Sequence, residues 1–324
     1  MTTQCIASAR VPAFQATVPQ SGRRDGTLRQ TISYAAGQRR PVTVRYSLWG
    51  PPGAPVVIAL GGISATRRCD RWWPAVFGNG LDPVRWRILG MDWLGRFWPD
   101  GSAVTTIQQA TALASVLDRL GLTTVHGLIG ASYGAMIGLA FAARFPERLE
   151  RLLAISGAHR THPMAVARRL IQRRIVDLGI AAGRAAEGLE LARALALTTY
   201  RPDRLFAEQF GHDDPGQVLE SLAGYFRRQG QRFQAGFSAA RYRCLSESLD
   251  RHRVDPAAVR CSVDLVAADS DALVPPEQLR ALANQLGPRA RYHEIHSRFG
   301  HDAFLKEDRT INALIEHTLG GDRR

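Results

Sequence analysis

The stretch Val125-His126-Gly127-Leu128-Ile129-Gly130-Ala131-Ser132-Tyr133-Gly134-Ala135-Met136 decides the fold. Val125–Ile129 is a short apolar run of the kind that forms a strand buried on both faces. Ala135–Phe145 has helical composition and is closed by Pro146. Between them stands G-x-S-x-G, in the strand–turn–helix setting that gives the pentapeptide meaning. A serine there sits on a sharp turn at the sheet edge, and the flanking glycines let neighbouring backbone pass without a Cβ clash. The helix start beneath it presents N–H groups where negative charge can develop.

Working outward, Val42–Leu48 alternates like a half-exposed strand, Val56–Leu60 is a buried run ending in Gly61-Gly62, and Trp86–Met91 is a further strand candidate. Thr105-Thr106 caps a helix through Leu120, with Ile107, Ala110, Leu113, Ala114 and Leu117 expected on its packed face. Leu152–Ser156 continues the strand–helix rhythm. From 158 to 260 no buried-strand run occurs, only helical periodicity rich in arginine. The rhythm then resumes with Val263–Ala267, Arg291–Ile295 and a closing helix expected over Asp302–Leu319. This predicts a doubly wound, mostly parallel sheet formed by residues 1–157 and 261–324, with a helical cap inserted at 158–260.

Ser132 needs a base, and the base an orienting acid, in the chain order Ser, Asp, His. After the Val263–Ala267 strand two aspartates compete, and the D-x-x-V-P pattern favours Asp271 over Asp269. His301, in Gly300-His301-Asp302, follows the last strand and is the expected base. The remaining histidines read as structural or solvent-facing. Two backbone N–H groups, of Tyr133 and of Ile63 in Gly61-Gly62-Ile63-Ser64, are expected to form an oxyanion hole. The residues thus indicate an α/β-hydrolase fold and a serine-based acyl chemistry, without naming the reaction.

Composition removes other classes. With 45% hydrophobic and 22% charged residues the chain is ordinary globular protein, and no apolar run approaches the roughly 20 residues of a membrane span. No signal-peptide pattern is read at the N-terminus, so a soluble cytoplasmic protein is expected. Cys5, Cys69, Cys244 and Cys261 are far apart and read as free thiols, with neither disulfide nor metal-site spacing. The net charge of +13 comes from 42 basic residues of which only Lys306 is lysine. They are dispersed singly or in pairs, with no nucleic-acid-binding motif.

The downstream half resembles the homoserine O-acetyltransferase family, including its members that use succinyl-CoA. The similar stretches are Gly130–Met136, the helix end Arg144-Phe145-Pro146-Glu147-Arg148, the cap segment Leu197–Pro202 with Phe206 and Phe210-Gly211, Ser270–Gln278, and Gly300–Leu305. The resemblance implies a Ser132–Asp271–His301 triad moving an acyl group from acyl-CoA, a co-substrate rather than a bound cofactor, to the L-homoserine hydroxyl in methionine biosynthesis. It further implies that Asp302 holds the acceptor ammonium, that Arg173 holds its carboxylate, and that the protein is a homodimer binding only small molecules. The loops Gly61–Thr66 and Trp93–Pro99 differ from the family's patterns and border the acyl site. Arg67, Arg68 and Arg96 nearby are expected to suit a succinyl carboxylate, which leaves succinyl-CoA slightly ahead of acetyl-CoA. A serine O-acyltransferase of the same family and a carboxylesterase are the alternative readings; the Tyr200-Arg201 and Asp302 motifs speak against the esterase.

Overall fold

The computed structural model describes residues 22–320. Cys5 and the N-terminal segment read for a signal peptide lie outside the described residues. The chain runs β1 (Arg24–Ala35), β2 (Gln38–Trp49), β3 (Val56–Leu60), α1 (Cys69–Trp72), β4 (Arg87–Met91), α2 (Thr106–Arg119), β5 (Gly127–Ala131), α3 (Tyr133–Arg144) and β6 (Arg151–Ile155). Five helices follow: α4 (Pro163–Ala181), α5 (Ala185–Tyr200), α6 (Asp203–Phe210), α7 (Pro215–Gln234) and α8 (Ala239–Asp250). Then come β7 (Ser262–Ala268), α9 (Pro276–Leu286), β8 (Ala290–Ile295) and α10 (Asp308–Gly320).

The eight strands form one sheet in the order β1-β2-β4-β3-β5-β6-β7-β8. β1 and β2 pair antiparallel, as do β2 and β4, and the remaining pairings are parallel. β3, β5 and β6 are apolar on both faces because helices cover both; Ile58, Leu128, Ile129, Leu152 and Leu153 are fully buried. Each such side chain contributes roughly 1.5–3 kcal/mol over an exposed one. The register places Leu60 opposite Gly130, Ala131 opposite Ile155, and Ala268 opposite Ile295. The loops leaving the carboxyl ends of β3, β5, β6, β7 and β8 therefore start along one line.

Three details differ from the sequence expectations. β1 was not anticipated: its Leu28, Gln30 and Ile32 give a weak alternation, and the strand exists as the outer arm of a hairpin with β2. β5 starts two residues late, since Val125 makes only an isolated bridge to Leu149. The closing helix does not begin at Asp302; Gly300–Leu305 is a 3₁₀ turn and α10 begins at Asp308.

Within the five helices between β6 and β7, Ala165, Val176, Leu189, Tyr242 and Leu245 join the cluster that packs on the sheet. Leu197, Phe210 and Tyr225 form a separate cluster, which α6 and α7 share with the end of α5. Among the described residues no helix is long and apolar enough to cross a membrane.

Candidate active site

Ser132 follows β5 directly, at φ 55° and ψ −115°. Its conformation is fixed by bonds on both sides: the Ser132 N–H donates to the Ile155 carbonyl at 2.8 Å, and the Gly134 N–H to the Gly61 carbonyl at 2.9 Å. Neither flanking glycine has room for a side chain. A Cβ at Gly130 would stand 2.5 Å from the Gly134 carbonyl oxygen, and one at Gly134 would stand 2.3 Å from that of Leu60. The G-x-S-x-G spacing is therefore demanded by backbone packing of β3, β5 and α3.

The serine hydroxyl meets His301: Ser132 Oγ lies 2.8 Å from Nε2, and Nδ1 lies 2.7 Å from Asp271 Oδ2. Asp271 Oδ1 accepts the N–H groups of Leu273 and Val274 at 2.8 and 3.0 Å, which orients the carboxylate. An acceptor at Nδ1 places the ring proton there and leaves Nε2 to take the serine proton. Burial disfavours the imidazolium, but the Asp271 carboxylate beside it and Asp302 further off outweigh burial, and the His301 pKa is raised above its ordinary 6.5. Asp269 is used otherwise. It binds His296 and accepts the Ser297 N–H at 3.0 Å, holding the turn that follows β8.

Gly300 has φ +57°, and a Cβ there would stand 2.4 Å from the Tyr200 carbonyl oxygen. The turn carrying His301 thus presses against the end of α5, with the Tyr200 ring 5.9 Å from the imidazole. Asp302, next along, pairs with Arg201 at 3.1 Å.

The Tyr133 N–H is at the first position of α3, where a helix supplies no acceptor. The Ile63 N–H has no partner among the described residues, and its loop is held by Trp93, whose Nε1 donates to the Gly62 carbonyl at 3.0 Å. The Tyr133 side chain points away from the cavity. Its hydroxyl is 2.7 Å from Ser248 Oγ on α8 and within 3.4 Å of Gln109 on α2.

Ser132 and His301 open into a cavity of about 130 Å³ lined also by Gly62, Ile63, Met136, Gln172 and Leu273. Its charged wall is made by Arg168, Arg169, Arg193 and Asp302. Arg173 is not in that wall, contrary to expectation. Its Nη1 is engaged by Asp250 at 2.5 Å and Ser246 at 2.9 Å, one helical turn beyond the cavity. Arg169, four residues earlier on the same face, binds the other Asp250 oxygen through Nε at 2.6 Å and reaches the cavity. Arg67, Arg68 and Arg96 are also absent from the wall: Arg67 pairs with Asp92 at 2.8 Å, Arg68 with Asp70, and Arg96 is exposed. Sequence reasoning missed Arg169 and Arg193 because arginine is too frequent here for residue type to single either out. Elsewhere, metal-ligating atoms of Asp264, His293 and His317 lie within mutual reach. Both Asp264 oxygens are already taken there, by Arg291, His293 and Thr318.

Residues 55–308 match the alpha/beta hydrolase fold family. A homoserine O-succinyltransferase of Xanthomonas campestris pv. campestris is 40% identical over 97% of this chain and 88% of its own length. The chain belongs to the homoserine O-acyltransferase family of the α/β hydrolases. A homoserine O-acetyltransferase of Deinococcus radiodurans is 31% identical over 83% of this chain and 84% of its own length. The crystal structure of the homoserine O-acetyltransferase from Bacillus anthracis superposes with TM-score 0.84, covering 94% of this chain and all of that one. At 14% identity that likeness concerns the fold.

Proposed function

We propose that this protein is a homoserine O-acyltransferase of methionine biosynthesis, working in the cytoplasm by two half-reactions through Ser132. His301 takes the Ser132 proton, the serine oxygen bonds to the acyl carbon of acyl-CoA, and the carbon–sulfur bond breaks as the proton passes to the leaving thiolate. The N–H groups of Ile63 and Tyr133 hold the tetrahedral oxyanion. The homoserine hydroxyl, deprotonated by the same imidazole, then takes the acyl group and returns Ser132. Asp271 keeps the imidazole in the required tautomer. Acyl-CoA is consumed as co-substrate, and no resident cofactor enters the scheme.

Residues 158–260 act as the cap that keeps water from the acyl-enzyme. Asp302 receives the acceptor ammonium. Its carboxylate goes to Arg193, which lies over the Tyr200 ring at 5.5 Å on the same side of the cavity. The chain pairs with a second copy through α4, whose Met164, Ile171 and Leu178 recur every seventh residue and are each more than half exposed.

The observation that carries this reading is the hydrogen-bonded series Asp271–His301–Ser132 opening into a cavity that holds both an acid and arginines for an amino-acid zwitterion. Intact-protein mass spectrometry after mixing with acyl-CoA alone tests it. One acyl adduct is expected on the native chain and none on Ser132→Ala, with transfer on adding L-homoserine. An adduct that persists in Ser132→Ala, or one that is discharged by water as fast as by homoserine, overturns it.

A further inference from the structure

An oxyanion hole is effective when its donors are aimed before the charge forms. The Tyr133 N–H is aimed by α3, whose first residue it is. The Ile63 N–H belongs to a loop, and what aims it lies on the other side of its peptide group. Gly62–Ala65 is a turn, closed by the Ala65 N–H donating to the Gly62 carbonyl at 2.9 Å. Neither Ile63 nor Ser64 has a positive φ, so Ile63 takes the second place of an ordinary turn, where the N–H finds no acceptor within the turn. The Gly62 carbonyl accepts a second bond, from Nε1 of Trp93 at 3.0 Å. A peptide group is planar and trans, so its C=O and N–H point in opposite directions. Whatever holds the Gly62 carbonyl therefore sets the direction of the Ile63 N–H. Gly62 and Ile63 line the Ser132 cavity and Trp93 does not, so the indole grips this peptide from behind. Two donors on one carbonyl also polarise the peptide and strengthen its N–H, by roughly 10–30% per bond.

Trp93 is itself held in place. Its neighbour Leu94 has both backbone groups bound by Gln109, at 3.0 and 2.7 Å. The indole meets the Tyr133 ring edge-on, with 5.3 Å between centroids and 79° between planes. The Tyr133 hydroxyl lies 2.7 Å from Ser248 Oγ, and Gln109 Nε2 approaches it at 3.4 Å. All four side chains are buried. The side chain behind one oxyanion donor thus packs on the residue that supplies the other. Core packing is served by the ring of Trp93; the bond to Gly62 is what a phenylalanine there would lack.

We propose that Trp93 is a positioning residue of the oxyanion hole, fixing the Ile63 N–H through the Gly62 carbonyl while braced against Tyr133. It lies outside the cavity wall and acts only through that peptide. The inference rests on the acyl-serine chemistry of the reading above and deepens it, naming the side chain that prepares the loop-side donor. Gly62 and Trp93 stand in Gly61–Thr66 and Trp93–Pro99, the two loops that differ from the family's patterns, so the device belongs to this chain's own version of the site.

Trp93→Phe keeps a ring against Tyr133 and removes the N–H. Three measurements on the full chain test it: single-turnover thiol release from acetyl-CoA and succinyl-CoA, p-nitrophenolate release from p-nitrophenyl acetate, and affinity for a short alkyl trifluoromethyl ketone. Ser132 adds to such a ketone to give a hemiketal whose oxyanion occupies the same hole. In Trp93→Phe the limiting acylation rate should fall by about 10- to 100-fold, somewhat less than loss of a whole donor, with half-saturating acyl-CoA unchanged. Ketone affinity should fall by a similar factor. Ile63→Pro deletes the donor itself at a turn position that suits proline, and should lose at least as much. Adding Trp93→Phe to it should then cost little more, because the two changes act on one N–H. A merely structural Trp93 would lower the urea midpoint and leave acylation and ketone affinity as in the native chain, which overturns the assignment. A Trp93→Phe loss that is as large in the Ile63→Pro background overturns it too. Should Trp93→Phe not fold, native ketone affinity in Ile63→Pro overturns it. Thiol release that is intact and equal in the native chain and Trp93→Phe sinks the inference while sparing the acyltransfer reading. No thiol release from either acyl-CoA, with p-nitrophenyl acetate still slowed by Trp93→Phe, sinks that reading and sustains the inference.

Discussion

Ser132 occupies a region of backbone space that costs a non-glycine residue of order 1–3 kcal/mol, and it is held there by bonds to β6 and by two glycines without room for a methyl group. Ser156, at the corresponding end of β6, is held at a similar φ of 49°. Strain of this kind persists where the surrounding sheet determines it. His301 offers the sharpest test at this scale. Asp271 and, less strongly, Asp302 raise its pKa above 6.5 against the opposing effect of burial. A general base must be neutral to act, so thiol release should climb with pH through an inflection above 6.5. Asp302→Asn removes one source of the rise and should move that inflection to lower pH. The kcat/KM profile of the acylation half-reaction measures both, and an inflection unmoved or raised in Asp302→Asn contradicts the electrostatics. The same raised pKa links to stability. The part His301 contributes as an imidazolium is present below its unfolded pKa and is lost as pH rises through the folded value.

Elements show what a sequence can and cannot disclose. Gly134→Ala should destabilise the protein by about 1–3 kcal/mol, because the new Cβ meets the backbone of β3, which has nowhere to go. A urea midpoint unchanged from the native chain would mean that β3 and α3 are not locked as described. That glycine was legible from spacing alone, since the contact that demands it is local to one strand–turn–helix unit. So was the start of α2, where Thr105 and Gln108 form a reciprocal capping box. The phase of α2 was less legible: Ile107, expected on the packed face, is 45% exposed, while Gln109 is buried. Gln109 is drawn inward by the Leu94 backbone, whose N–H and carbonyl it binds at 3.0 and 2.7 Å. A polar side chain answering backbone groups from a distant loop leaves no periodic signal. Arg169 and Arg173 make the same point on α4. Identical in type and on one face, they are told apart only by where the cavity ends. The order Ser132, Asp271, His301 was readable because each follows a strand, and strand ends are what a parallel sheet aligns.

At the scale of the molecule, the exposed row Met164, Ile171 and Leu178 is the prominent apolar stripe on α4, and covering it is the work assigned to a second copy. Ile171→Asp combined with Leu178→Asp should convert the proposed dimer to a monomer in sedimentation velocity. A native chain that sediments as a monomer across micromolar concentrations contradicts the pairing. Some of the arginines are paired within the molecule, as in Arg148–Asp118, Arg243–Asp177 and Arg280–Glu294, while the excess of 42 basic over 29 acidic residues leaves a net charge of +13.

The two clusters give the five helices between β6 and β7 two different supports. α4, α5 and α8 share the core of the sheet, and α8 is tied through Ser248 to the Tyr133 side chain, so lifting them would disturb the helix start beneath Ser132. α6 and α7 pack their aromatic side chains into the second cluster, which the end of α5 completes with Leu197 and Tyr200. Arg201, just past α5, joins the second cluster to the triad's turn, lying over the Tyr225 ring and bonded to Asp302. Under the proposed function an arriving ammonium competes with that guanidinium for Asp302, so the second substrate loosens a fastening of the room it enters.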